Sequence, residues 1–177
     1  MLNIITSRHV YTTLQAEIDA AIANRKISSP VVSDAEACTL PYLQAVIKEG
    51  LRIHPPAVGL ASKVVPPAGD TINGVFVPAG TKIGANYFAL LHNANAFNPD
   101  PASFRPERWL EASPEQLAIM EKVQELVWGY GKYVCLGRGV ALIELNKIFV
   151  EVRFLMVKSA GMFWGLIIFL LTAGIVT

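Results

Sequence analysis

Trp128-Gly129-Tyr130-Gly131-Lys132-Tyr133-Val134-Cys135-Leu136-Gly137 is a glycine-rich loop that runs into an apolar helix. Its glycines at 129, 131 and 137 let the backbone pass close to a flat ligand or to a sulfur atom, where a Cβ would collide. A helix opening at Leu136 aims unpaired backbone N–H groups, and the positive end of its macrodipole, at Cys135, which favours a thiolate there. Such an anion is a soft ligand suited to iron. A lone free cysteine is more often a small buried apolar residue. The loop by itself leaves both readings open.

Working outward, Glu49-Gly50-Leu51-Arg52 places an acid and a base three apart on one helical face. Phe104-Arg105-Pro106-Glu107-Arg108-Trp109 adds a second basic cluster downstream. An ordinary surface pair at this spacing stabilises a helix by only about 0.2–0.5 kcal/mol. Taken in order with the Cys135 loop, the three segments resemble the cytochrome P450 family. Its pattern is E-x-x-R on a helix, then F-x-P-E-R-F, then F-x-x-G-x-R-x-C-x-G around the iron ligand. Each motif alone is short and weak. Their order and spacing carry the resemblance, which covers residues 1–152 and is strongest toward fungal members of the pisatin-demethylase kind over Leu40–Pro56 and Thr71–Trp109.

The resemblance implies an α+β, mainly helical fold with a small antiparallel sheet, the C-terminal portion of a longer fold, with a partial haem-thiolate domain over residues 1–152. It implies that Cys135 is the axial metal ligand of a haem iron, with Trp128, Gly129, Gly131, Lys132 and Gly137 around the cofactor. Glu49, Arg52 and Arg108 would form a buried structural network, in which removal of one partner costs about 3–5 kcal/mol. Val58, Leu60 and Ala61 fall on the substrate side and would line an apolar pocket. The family's acid–alcohol pair for oxygen activation falls upstream of Met1, so no catalytic side chain is assigned here. The chain departs from the family at two positions: Tyr133 stands where a basic residue usually meets a haem propionate, and Trp128 stands for the usual Phe. Lys132 and Lys63 are the cations on offer in exchange, as point charges rather than bidentate forks.

By the same resemblance the activity is that of a haem-binding monooxygenase, inserting one atom of O2 into a small apolar organic substrate. Its electrons would come from an NADPH-dependent P450 reductase, and its place would be the endoplasmic reticulum membrane with the domain facing the cytoplasm. The alternative is a non-catalytic remnant that keeps the scaffold, tail-anchored in a membrane. A third reading, Cys135 as a nucleophile served by His54 or His92, has nothing in the sequence to order those groups.

The 177 residues carry a net charge of +1 with Lys and Arg scattered, which argues against a nucleic-acid surface. Two cysteines and three histidines show no zinc-ligand spacing. Val10, Leu14, Ile18, Ala21 and Ile22 predict an amphipathic helix over 9–25. Ser33-Asp34-Ala35-Glu36 has the form of a capping box, and a helix follows from Thr39 or Leu40 until His54-Pro55-Pro56. Short β-like runs at 60–65, 71–72, 75–77 and 81–85 flank Asn73-Gly74, a hairpin turn signal. Residues 87–91 read as a short helix, 93–108 as a long loop, and Ser113-Pro114-Glu115 opens a helix to about Glu125. After Cys135 the pattern is apolar nearly all round, which predicts a helix buried in a large fold.

Residues 160–177 are an uncharged run of eighteen, about 27 Å long as a helix against a bilayer core of about 30 Å. Two readings of this tail stand side by side, a transmembrane helix with Arg153 and Lys158 on its cytoplasmic side and a gene-model artefact.

Overall fold

The computed structural model describes residues 2–28, 31–57 and 62–152. Val58, Leu60, Ala61 and the 160–177 tail lie outside them. The chain divides into two compact units. The first draws on Met1–Glu49, Arg105–Glu111 and Cys135–Thr177, the second on Gly50–Phe104 and Ala112–Val134.

In the first unit, α1 (Leu2–Thr6) is followed by α2 (Arg8–Ala23), where Ser7 breaks the helix and caps the next by accepting from the Val10 amide. Val10, Leu14, Ile18 and Ala21 of α2 are buried, the face that their spacing predicts. α3 (Asp34–Ala37) opens on the capping box at Ser33, with both reciprocal bonds made. α4 (Pro41–Ile53) begins one residue later than its sequence signal, with Pro41 in its first turn. Its exposed amides are met from another helix: the Glu17 carboxylate of α2 accepts from Tyr42 N at 2.7 Å and Leu43 N at 2.8 Å. A negative group there also opposes the positive end of the α4 dipole.

In the second unit, β1 (Lys63–Val64) pairs antiparallel with β4 (Lys82–Ile83), and β2 (Asp70–Ile72) with β3 (Val75–Val77). Asn73 and Gly74 have φ of 51° and 81° and close the β2–β3 hairpin, as their residue types demand. β4 is shorter than the sequence run at 81–85, and β1 lies within the run at 60–65, whose residues 60 and 61 are outside the described ones. α5 (Tyr87–Leu91) and α6 (Ala94–Phe97) are capped by Asn86 and Asn93. The segment read as one long loop thus contains a helical turn, and α7 (Arg108–Glu111), which belongs to the first unit, closes it. α8 (Pro114–Glu125), capped by Ser113, packs on α5 and α6 around Leu91, Phe97 and Met120. Two 3₁₀ turns, Leu126–Trp128 and Gly131–Tyr133, lead out of it.

The chain after Cys135 differs from its sequence expectation. Residues 136–137 form a turn and the helix runs from 138 to 152, the last residue described. It is not buried all round: Val140, Ile143 and Ile148 are exposed, while Asn146 and Val150 are buried. The covered side is held by polar contacts, in which Asn146 accepts from Gln44 at 3.0 Å and donates to Asp34 at 2.8 Å. The Glu151 carboxylate accepts from Val32 N at 2.9 Å. Apolar periodicity alone cannot say which neighbours cover each side of a helix. Among the described residues no helix is long and apolar enough to cross a membrane.

The capping box sets an acid response. The Ser28 and Ser33 hydroxyls and amides all donate to Glu36, with the Ser28 hydroxyl foremost, and hold its carboxyl at about 2 against an ordinary 4.5. A depressed carboxyl stabilises the fold above its unfolded value, and that contribution fades as pH falls from about 4.5 toward 2. Glu36→Gln should therefore flatten the slope of stability against pH in that window, read by urea denaturation at stepped pH. An unchanged slope would show that the carboxylate is not what the serines stabilise.

Candidate functional site

Glu49 is fully buried, and its carboxylate is met by the segment that follows Phe104. Its Oε1 accepts from Arg105 N at 2.8 Å and from Arg108 Nε at 3.0 Å, and its Oε2 accepts from Trp109 Nε1 at 2.9 Å. Arg108 is 3% exposed, so this ion pair is desolvated on both sides. Lys48 lies 5.5 Å from the Trp109 ring centroid and covers the outer side of the same indole. The indole donor is a partner that sequence reasoning missed; its signal was the Trp next to Arg108 in the second motif.

Arg52, also fully buried, works in the second unit. Its Nη1 donates to the carbonyls of Leu91 at 2.9 Å and Pro101 at 2.6 Å, and its Nη2 to the carbonyl of Ser103 at 2.9 Å. The guanidinium sits 5.0 Å from the centroid of buried Phe97. A planar fork with five donors can hold backbone carbonyls on several sides at once, which an ammonium cannot do. Arg52 thereby pins the irregular segment 91–103, where peptide groups outnumber the ladder partners available to them.

A second cluster surrounds Glu107. Its Oε1 accepts from the Tyr42 hydroxyl at 2.7 Å and lies 3.1 Å from His9 Nε2. Burial pushes the Glu107 carboxyl up, but the Tyr42 hydroxyl and His9 outweigh it and leave it below its ordinary value. Burial and the facing Glu107 both push the Tyr42 phenol far up. This cluster ties α2 and α4 to the same segment that Glu49 holds.

The glycine-rich loop follows these supports in sequence. Trp128 is buried at the end of its 3₁₀ turn, where the Gly129 amide returns to the Leu126 carbonyl at 3.0 Å. Gly129 has φ of +82°, and a Cβ there would overlap the Tyr133 carbonyl oxygen. Only glycine lets the loop double back so closely. Gly131 opens the second turn and has open space where a Cβ would stand. Tyr133, at the position of the family's usual basic residue, is 56% exposed. The ammonium groups of Lys63 and Lys132 lie 4.5 Å and 5.1 Å from its ring centroid. The two lysines proposed from sequence are thus brought together on one side chain of the second unit.

In the first unit, Cys135 is a free, exposed thiol. Its sulfur lies 3.7 Å from where a Cβ on Gly137 would stand, so the thiol rests over backbone rather than over a side chain. The helix starts three residues later, with the Arg138 amide reaching the Cys135 carbonyl at 3.3 Å and the Ala141 amide reaching the Gly137 carbonyl at 2.9 Å. Leu136 and Val140 stand exposed beside it. An accessible soft donor flanked by bare backbone and uncovered apolar side chains fits a flat, apolar, metal-bearing group such as haem. Cys38 differs: Asn146 Nδ2 donates to its sulfur at 3.2 Å, and burial pushes its thiol above the ordinary value.

Two substitutions test these supports in the 177-residue chain. Glu49→Gln removes the buried countercharge of Arg108 and should cost about 3–5 kcal/mol, read as a lowered urea midpoint. A loss below about 1 kcal/mol would mean that the carboxylate's charge matters little. Gly129→Ala combines a left-handed φ with an overlap against backbone and should destabilise by more than about 1 kcal/mol. Wild-type stability in that variant would show that the loop is free to relax.

Comparison with known proteins adds an independent line. The cytochrome P450 family model matches residues 1–152. The chain is 44% identical over 151 residues to the cytochrome P450 monooxygenase ABA1 of Pyricularia oryzae, covering 85% of this chain and 30% of that protein. It is 43% identical over 152 residues to the cytochrome P450 monooxygenase aba1 of Botryotinia fuckeliana, covering 86% and 30%. It is also 38% identical over 142 residues to pisatin demethylase of Fusarium vanettenii, covering 80% and 26%. The chain therefore spans about 30% of the length of the first two relatives. With its three ordered motifs and a match over residues 1–152, the chain belongs to the cytochrome P450 family.

Proposed function

We propose that this chain supplies the thiolate face of a haem-binding monooxygenase. The observation that carries the reading is the exposed Cys135 thiol, resting over Gly137 and followed, after the turn at 136–137, by a helix. Haem, when bound, supplies the oxygen chemistry: insertion of one atom of O2 into an organic substrate, favoured by electron donation from a thiolate ligand. The chain's own residues have narrower tasks. Cys135 offers the sulfur, and Gly137 leaves no Cβ beside it; Trp128, Gly129, Gly131 and Lys132 are assigned to the cofactor by family membership. Glu49, Arg108 and Arg52 act on the fold, through bonds to backbone and side-chain groups of the protein.

The remaining assignments rest on family membership. Val58, Leu60 and Ala61 line the pocket for a small apolar organic substrate. Electrons come from an NADPH-dependent P450 reductase, and the protein works at the endoplasmic reticulum membrane, with this domain on the cytoplasmic side. The relatives' names support a monooxygenase activity and say nothing of this chain's own substrate.

The test is spectroscopic. Purified 177-residue chain is mixed with hemin, reduced under carbon monoxide, and compared with Cys135→Ser. A red-shifted Soret band of thiolate type, present in the wild type and absent in the variant, is the expected result. Dependence on Cys135 decides the matter, whatever the band's size. An identical band in the serine variant, or none in either, overturns the reading and leaves the non-catalytic scaffold in its place.

A further inference from the structure

In the first unit, residues 24–28 lead from the end of α2 toward α3. The Lys26 amide donates to the Ala21 carbonyl at 2.8 Å and the Arg25 amide to the Ile22 carbonyl at 3.0 Å, which closes the helix with Arg25 at φ of 53°. Glycine is the usual residue at such a left-handed helix end, since a Cβ is strained there. An arginine accepts that strain and sets a cation beside the negative end of the α2 dipole. Lys26 follows, and both side chains are exposed. Ile27, 5% exposed, anchors the segment, and Ser28 returns to the surface. Arg25-Lys26-Ile27-Ser28 thus sets a hydroxyl two and three residues after a pair of surface cations. No other serine or threonine of the 177 residues has bases at both of those positions.

The Ser28 hydroxyl donates to Glu36 Oε1 at 2.7 Å, and the Ser28 amide donates to the same oxygen at 3.1 Å. The other oxygen of Glu36 accepts from the Ser33 amide at 2.8 Å and the Ser33 hydroxyl at 2.7 Å. One carboxylate therefore latches Ser28 to the start of α3. Esterified at its oxygen, Ser28 would have no hydroxyl proton to donate. A phosphate would bring a charge of about −1.5 to −2 at pH 7 beside Glu36, with Asp34 in the same helical turn. Like charges at hydrogen-bond range repel, so the latch and the phosphate exclude each other.

A pair of cations on an exposed segment, just ahead of a hydroxyl, suits a substrate groove lined with acids. We propose that Ser28 is a phosphorylation site read by a basophilic protein kinase through Arg25 and Lys26, and that the phosphate unlatches residues 24–28 from α3. ATP supplies the phosphoryl group. The bond from Ser28 Oγ to the γ-phosphorus forms, the bond from that phosphorus to the β–γ bridging oxygen breaks, ADP leaves, and the hydroxyl proton passes to the kinase's base. Ile27 must leave its seat for the segment to enter a groove, a local opening of the kind that loop ends undergo. The site is independent of haem and of Cys135.

The 177-residue chain is incubated with cyclic-AMP-dependent protein kinase, ATP and Mg²⁺, and the modified peptide is mapped by mass spectrometry. One phosphate at Ser28 is the expected result, absent from Ser28→Ala. Arg25→Gln combined with Lys26→Gln should slow transfer by about tenfold or more, as the loss of charge contacts in a desolvated groove does. Both side chains are exposed, so this variant is expected to fold, which circular dichroism checks. In the phosphorylated chain the Ser28 and Ser33 amides should exchange with deuterium about tenfold faster, because their shared acceptor is repelled. No incorporation, transfer to a different hydroxyl, or transfer indifferent to Arg25 and Lys26 overturns the site. Unchanged exchange at both amides in the phosphorylated chain overturns the unlatching.

Discussion

The buried carboxylate of Glu49 constrains the segment from Arg105 to Trp109, because a charge without water must find its donors inside the protein. Three donors arrive from five consecutive residues: a backbone amide, a guanidinium and an indole. Each fixes a different part of the segment, so the chain cannot slide by a residue without leaving a lone pair or the charge of Arg108 unanswered. Such a pair is poor as a source of net stability, since desolvating two ions costs several kcal/mol before they attract. Its value is selective: the wrong register is penalised more than the right one is rewarded.

The fold meets a second buried charge differently. Arg52 donates to three peptide carbonyls and lies against the Phe97 ring. Carbonyl partners suit a segment with little regular structure, because the irregular backbone leaves acceptors unfilled that the guanidinium then fills. Glu17 does the converse at the start of α4, where a carboxylate answers two amides that no helix turn can reach. Three charged side chains thus do work that extended β-ladders or longer helices would do elsewhere, and each would be costly to bury if its backbone partners moved.

What could be read in advance divides along the range of the interaction. The Ser33 capping box and the Asn73-Gly74 turn were legible because both signals and both partners lie within four residues. The acid and base at Glu49 and Arg52 were legible as residues of interest, and Arg108 was legible through the second motif. The carbonyls held by Arg52 were not, since a carbonyl belongs to every residue and leaves no mark in a sequence. Tyr133 was visible only as a departure from the family pattern; that it gathers Lys63 depends on the antiparallel pairing of Lys63 with Ile83, which no local signal encodes. The helix after Cys135 was misjudged for a related reason: its composition announces an apolar surface and is silent on what covers it.

The offset between Cys135 and its helix bears on how a thiolate would be held there. The influence of a helix dipole falls away within its first turn, and the turn at 136–137 sets the sulfur just outside the regular helix. The macrodipole therefore contributes less than it would to a residue at the cap itself. What remains close is the backbone around Gly137, which the sulfur approaches with no side chain between. Stabilisation by local amides depends on loop conformation far more than stabilisation by a distant dipole does, because a hydrogen bond weakens steeply with angle and distance.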